Sequence, residues 1–343
     1  MNLFFLFFYP IFILFLTILS LNILINFLNN KSFLDIPQQR SNHTKPKPKC
    51  AGIIIVPIII VSIFFFIYFD LIRPEPWKYV CYFALVLFVT SFLDDIYNLP
   101  SSLRLFIQIF SIILTLQFFD SDIYNFTEQI FSKVSWFNNK ESIHILIKIL
   151  LVFMWLWITN LFNFMDGIDG ISASQTITFS IGIILLNLNS VLFLELKYIG
   201  LIFFSSILGF LYWNQPPAKI FLGDCGSIPL GFLIGGICTL SLLNFNNFIP
   251  ILILLLYYIL DSSLTLINRI FKKKNIFKAH SEHYYQKKVR NGFSHKRVLS
   301  VITIVNSFLL LFALSYVKYK LPVLICSILI VLSLLFWLSK KKT

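Results

Sequence analysis

Carboxylates are scarce in this chain. Only 15 Asp and Glu occur among 343 residues, against 28 Lys and Arg and a 58% share of hydrophobic residues. A mean hydropathy of +0.84, with apolar runs of about 17 to 25 residues, excludes an ordinary soluble chain and matches helices that cross a bilayer. A cleaved signal peptide is excluded too. The first run, 3–28, has no basic segment before it and no small-residue cleavage site after it, so it is expected to remain as a transmembrane helix. CxxC pairs are absent, and the five cysteines (50, 81, 225, 238, 326) mostly sit in apolar runs, which argues against disulfides and zinc. There is no internal repeat, no linker and no soluble basic segment to carry nucleic acid. The net charge of +13 therefore points to positive-inside bias, anionic headgroups or a polyphosphate.

What remains is one all-α polytopic membrane domain, 1–343. Spans are expected at 3–28, 51–69, 79–93, 103–119, 145–161, 171–188, 191–212, 228–243, 248–268, 298–317 and 321–338, which makes ten to eleven transmembrane helices. The connections 29–50, 94–104, 162–170, 213–227 and 269–297, with the Lys-rich tail, hold 20 of the 28 basic residues. The positive-inside rule puts these on the cytoplasmic side, with the N-terminus outside and the C-terminus cytoplasmic.

The rare acids then fall together at that face, at the ends of apolar runs. Adjacent Asp94 and Asp95 repel each other unless a cation, a basic substrate or water relieves them; a solvated turn before Asn98-Leu99-Pro100 is the alternative. Asp166 and Asp169 each precede a glycine and follow Asn160 and Asn163. Such oxygens suit a hard cation, and the glycines allow close backbone approach, although Asp-Gly is also a common turn pair. Asp224 lies between Gly223 and Gly226 where a span begins; N–H groups at a helix start suit a phosphate and the acid suits its metal, with Cys225 a spacer. Asp261 lies upstream of the large basic loop 269–297, which holds His280, His283 and His295 and could clamp a phosphate or pyrophosphate. A solvated loop explains its charges equally well. His144 falls on the opposite side. The Pro-rich segment 35–49, ending at Lys49, reads as an extended basic strip across the mouth of the site.

Taken in order, these pieces resemble the polyprenyl-phosphate N-acetylhexosamine-1-phosphate transferases of glycosyltransferase family 4, related to the phospho-MurNAc-pentapeptide translocase of peptidoglycan synthesis. The matching strings are DIPQQRSNHTKPKPKCAG (35–52), FLDDIYNLP (92–100), NLFNFMDGIDG (160–170), FLGDCGSIPLG (221–231), DSSLTLINR (261–269) and HSEHYYQKKVRNGFSHKRV (280–298). The resemblance implies a site at the cytoplasmic face of a bacterial inner membrane where polyprenyl phosphate meets a UDP-sugar. It implies transfer of HexNAc-1-phosphate to the lipid with release of UMP, initiating a cell-surface glycan such as O-antigen or teichoic acid. It assigns Mg2+, or Mn2+, to Asp224 with Asn163, and the lipid phosphate or a base role to Asp94 and Asp95. Asn163, Asp166 and Asp169 would line the nucleotide site. Asn160, Lys49, His280 and His295 would contact substrate, and His283 would serve the phosphate region. Because a phosphate monoester is largely ionised at neutral pH, the metal role is favoured over the base role. A homodimer is compatible with this reading.

Two departures stand out. Ala51-Gly52 replaces a Gly-Gly, and Ser281 replaces a basic residue beside the loop histidine. The triple-His signature of the peptidoglycan translocase is absent, which favours a UDP-HexNAc or its deoxy derivative. A secondary transporter would need midplane charges and two matching halves, and a CDP-alcohol phosphotransferase needs a compact Asp-rich string; neither is seen. A non-catalytic membrane scaffold is the third alternative.

Overall fold

The computed structural model describes residues 4–28, 34–35, 47–132, 140–188, 194–244, 247–275 and 280–341. Helix α1 is Tyr9–Leu28, preceded by a wider π-helical turn, Phe4–Phe8. There follow α2 Gly52–Tyr68, α3 Trp77–Tyr97, α4 Ser101–Leu116, α5 Asp120–Phe131, α6 Lys140–Phe164, α7 Ile171–Leu186 and α8 Leu194–Asn214. The chain continues with α9 Asp224–Leu243, α10 Phe248–Phe271, the short α11 Tyr284–Arg290 and α12 His295–Ser339. A two-residue antiparallel pair, β1 Leu34–Asp35 with β2 Lys47–Pro48, bounds the Pro-rich strip. The middle of that strip, 36–46, lies outside the described residues, as does 276–279 of the basic loop.

Among the described residues, eight helices are long and apolar enough to cross a membrane, and α2 and α7 are shorter apolar helices. Two features were not foreseen. The helix α5 continues from α4 through a 3-10 turn and carries acids at its start, so its composition hid it from a search for apolar runs. The last two expected spans form one 45-residue helix with a break at Tyr319 (φ −122°, ψ 35°) shortly before Pro322. A straight helix of that length would measure about 67 Å. Yet the Phe293 ring, just before α12, lies 5.8 Å from that of Trp337 near its end, so α12 folds back at the break. Lys288 secures the return by donating to the carbonyls of Trp337 and Lys340, at 2.7 and 3.0 Å.

The helix α9 runs through the centre with 94% of its apolar window buried. Its small residues permit this, because packing between helices in lipid depends on close van der Waals approach. Gly231 and Gly235 face α6, and Trp155 donates its indole N–H to the Phe232 carbonyl at 2.8 Å. The helices α2, α3, α5 and α10 complete the surround. At the far end, Arg73 forks onto the buried Glu195 carboxylate, 2.8 Å at the shortest. His144 bonds Thr127 (3.2 Å) at the start of α6, the end opposite Asn163, as expected for a residue outside the site.

A methyl group on Gly235 would meet Trp155 at 2.3 Å, whereas on Gly236 it would meet the same ring at 3.3 Å. Gly235→Ala is expected to cost about 1–3 kcal/mol by overpacking, and Gly236→Ala distinctly less. Thermal unfolding in detergent checks the ranking, and equal losses would contradict it.

Candidate active site

One end of the bundle gathers the starts of α2, α4, α7, α9 and α12 with the ends of α3, α6, α8 and α10. The turn from α3 to α4 is built by Asn98, left-handed at φ 51°, and by Asp94, which accepts the Leu99 N–H at 2.8 Å. Asp94 is buried, and Arg104 of α4 bonds its other oxygen at 2.5 Å while lying 3.6 Å from Asp224. The adjacent acid turns elsewhere: Asp95 accepts from Lys49 (3.0 Å) and from the Cys225 backbone N–H (3.3 Å). The expected repulsion within the pair is thus relieved by two separate cations.

Close backbone approach brings the α2 and α9 starts together. Ala51 N–H donates to Phe221 and Gly52 N–H to Leu222, at 2.9 and 3.0 Å. A Cβ on Gly52 would fall 2.4 Å from the Gly226 nitrogen, so this position admits no side chain. Asp224, the first residue of α9, accepts from the Asn163 amide at 2.9 Å, and the same amide reaches Ser227 at 3.2 Å. As placed, Asn163 orients Asp224 through its nitrogen.

A small pocket of about 120 Å3 is lined by Asp166, Asp169, Asn214, Gly223, Asp224 and His295, among others. Asn214 staples its two walls, accepting from Gly170 N–H (2.9 Å) and donating to Ile220 (2.8 Å). Asp169 accepts from Ala218 N–H (2.9 Å) and pairs with Lys47 (3.4 Å) and His295 (3.2 Å). Burial alone would raise its carboxyl, but His295, the Ala218 N–H and Lys47 outweigh it and hold the group below the usual carboxylate range. Asp166, partly exposed to the pocket, is held by a neutral donor, the Ser172 hydroxyl at 2.7 Å. Enclosure by protein, and then the charge of Asp224, push its carboxyl up to about 7.

The histidines divide. His295 reaches the pocket. His283 is buried and bonds Asp261 at 3.2 Å, so it fixes the loop to α10, and the Tyr284 N–H adds a second bond to Asp261. His280 stacks on His283 (5.1 Å), and burial, then His283 and Arg269, push it down to about 4. It is therefore neutral near pH 7, a hydrogen-bonding group and not a cation. Part of the basic loop is structural: Arg269 and Lys274 pair with Glu282, and Lys288 caps α12. Tyr285 ties α11 to the end of α6 by bonding the Phe164 carbonyl at 2.9 Å.

A second, larger cavity of about 620 Å3 opens between α4, α6 and α10. Its walls are mostly apolar, including Leu105, Phe153, Met154, Trp157 and Leu266, and its polar end is Arg104, Asn160 and Asn163. Asn160 bonds Gln108 across the groove at 2.9 Å. The two cavities meet where Asn163 of the groove holds Asp224 of the pocket. Arg104, Lys47, Asn214, Ser172 and Ser227 were not singled out from the sequence; Arg104 could have been, as the lone basic residue in the connection that carries the acid pair.

A hard dication fits this pocket. Asp166 and Asp224 are hydrogen-bonded by neutral donors, a hydroxyl and an amide, with Arg104 3.6 Å from Asp224, and their oxygens are the ligand type that Mg2+ takes. These two residues would hold it, and it would supply charge neutralisation for a leaving phosphate.

Residues 77–242, from α3 to α9, match the family model described as glycosyl transferase family 4. A Bacillus subtilis (strain 168) protein named "Probable undecaprenyl-phosphate N-acetylglucosaminyl 1-phosphate transferase" is 27% identical over 312 residues, covering 89% of this chain and 82% of the relative. An undecaprenyl-phosphate alpha-N-acetylglucosaminyl 1-phosphate transferase of Thermotoga maritima is 25% identical over 77% of this chain and 76% of its own length. A phospho-N-acetylmuramoyl-pentapeptide-transferase of Clostridium perfringens is 32% identical, over 45% of this chain and 48% of its own. With its bundle of apolar helices, this chain is a multi-pass membrane protein whose residues 77–242 are similar to glycosyl transferase family 4.

Proposed function

We propose that the chain transfers N-acetylhexosamine 1-phosphate from a UDP-N-acetylhexosamine to polyprenyl phosphate. A lipid phosphate oxygen attacks the phosphorus that carries the sugar, the bond from that phosphorus to the UMP oxygen breaks, and UMP leaves. The observation that carries this reading is the meeting of an apolar groove and a carboxylate-lined polar pocket at Asn163 and Asp224. A long isoprenoid fits the groove with its phosphate toward Arg104, and the nucleotide diphosphate fits the pocket beside Asp166 and Asp224.

In this reading Arg104 orients the acceptor phosphate, and Asp94 positions Arg104 instead of serving as a base. Asp95 and Lys49 hold the start of α9. Lys47 and His295 flank Asp169 and face the donor; His280 and Asn160 lie at the margins. Mg2+ is the cation proposed at Asp224 and Asp166, with Mn2+ as a substitute. The helices make eleven crossings when α12 is counted twice, with the site and C-terminus cytoplasmic and the N-terminus outside, in a bacterial inner membrane. Transfer from UDP-HexNAc is favoured over the MurNAc-pentapeptide reaction because the similarity to N-acetylglucosaminyl transferases extends over most of the chain. The product would initiate a cell-surface glycan.

The test is UMP release and lipid-linked product from purified protein, undecaprenyl phosphate, Mg2+ and a panel of UDP-HexNAc donors. Asp224→Asn is expected to lower the rate by about 10²–10³-fold, the usual scale for losing one electrostatic stabiliser, with thermal stability retained. No product from any donor would overturn the reading. Met154→Trp, which narrows the groove, should raise KM for the lipid about tenfold and leave KM for the UDP-sugar unchanged; the reverse pattern would contradict the assignment of the two cavities. Because the Asp166 carboxyl is pushed up to about 7, a cation must displace a proton to bind there. The Mg2+ concentration for half-maximal rate should therefore rise as pH falls through that value, by at most about tenfold per pH unit for one proton. Asp166→Asn should flatten that dependence.

A further inference from the structure

Cys50 and Cys225, far apart in sequence, converge with Asp95 beside Lys49. One ligand atom from each of the three lies within 4.8 Å of the others. The Cys50 sulfur is 3.9 Å from Asp95 Oδ2, while Lys49 occupies Oδ1 at 3.0 Å. Both cysteines are fully buried. Their backbones are fixed from outside: Phe221 N–H donates to Pro48, and Ala51 and Gly52 N–H donate to Phe221 and Leu222. Cys50 itself sits at φ 90°, a strained conformation for a residue with a side chain. None of the three lines the Asp166–Asp224 pocket.

We propose that Cys50, Cys225 and Asp95 form a binding site for a thiophilic divalent cation, Zn2+ or Cd2+, distinct from the hard-cation pocket. Two sulfurs and one carboxylate oxygen make the three-ligand set of an open tetrahedral site, with water in the fourth position. Zn–S bonds of about 2.3 Å and Zn–O bonds of about 2.0–2.2 Å place S and O about 3.5 Å apart in such a site. The observed 3.9 Å needs a contraction of a few tenths of an ångström, and the widest pair, within 4.8 Å, closes by up to about 1 Å. Sulfur donors select against Mg2+. On binding, the two thiol protons leave to solvent and no redox change occurs. Cys225 follows Asp224 and Asp95 follows Asp94, so an occupied site would lock the first turn of α9 and the end of α3 to residues 48–52. In the proposed transfer reaction this makes the site inhibitory, a consequence that rests on that reading; the binding itself does not.

The test titrates the detergent-purified full chain with Cd2+ and reads the ultraviolet charge-transfer band of cadmium thiolate. One Cd2+ per chain is expected, resistant to excess Mg2+, with affinity weakened in Cys50→Ser or Cys225→Ser by more than the about ten- to a hundredfold that losing an outer partner costs, and unchanged in Cys326→Ser. A band that persists at full affinity in the Cys50→Ser/Cys225→Ser double variant, or no band, overturns the proposal. X-ray absorption at the zinc edge on wild-type protein loaded with one equivalent of Zn2+ decides without any substitution. Two sulfur neighbours per zinc support the site, and purely nitrogen and oxygen coordination refutes it. Loss of UMP release on adding Zn2+ at saturating Mg2+ reads the inhibitory consequence. If no donor gives UMP at all, the transfer reading fails while the titration still decides the site.

Discussion

Trp155 donates to the Phe232 carbonyl across a face of α9 that is nearly bare of side chains, Gly231 and Gly235 lying where any methyl group would strike α6. That contact lets α9 run through the middle of the bundle with its N-terminus beside the starts of α2 and α4 and the ends of α3 and α6. A helix start in such a place carries a partial positive charge, and its first N–H groups are taken within the protein, Cys225 N–H by Asp95 and Gly226 and Ser227 N–H by the Gly223 carbonyl. An acid there, Asp224, is stabilised by the helix and still available to a ligand. The same logic repeats at the Gly52–Gly226 contact, where backbone meets backbone and the Pro-rich strip is delivered to the site.

Electrostatics then separate the acids into two groups. Asp94, Asp95, Asp169 and Asp261 each meet Arg104, Lys49, Lys47 with His295, or His283, and these contacts tie loops to helices. Breaking a buried pair leaves an uncompensated charge, so such pairs fix geometry even where their net contribution to stability is small. Asp166 and Asp224 are hydrogen-bonded by neutral donors, with Arg104 a more distant 3.6 Å from Asp224, and both carboxyls line the pocket. The pocket they share borders a groove whose walls are mostly apolar.

Much of this was legible in the sequence because membrane helices announce themselves by hydropathy and because a scarce residue type cannot cluster by accident of composition. The spans, and the gathering of Asp94, Asp95, Asp166, Asp169 and Asp224 at one face, follow from those two facts. What stayed hidden has physical reasons. The helix α5 is amphipathic with acids in its first turn, so it left no apolar run. The foldback of α12 needs no loop, only a break at Tyr319. Which acid is paired and which is free depends on partners tens of residues away, such as Arg104 for Asp94 and Ser172 for Asp166. Likewise the absence of CxxC spacing spoke against a metal-binding sulfur pair, yet the fold brings Cys50 to Cys225 through backbone pairing that spacing cannot express.

The central claim is that Asp166 and Asp224 hold the hard cation beside the donor diphosphate. The most direct measurement is a structure of the protein with a UDP-HexNAc and Mn2+, read by anomalous scattering at the manganese edge. The account predicts a single strong peak within ligand distance of Asp224, with Asp166 next to it and the diphosphate on its far side. A peak at Asp94, or a diphosphate bound in the α4–α6–α10 groove, would contradict it.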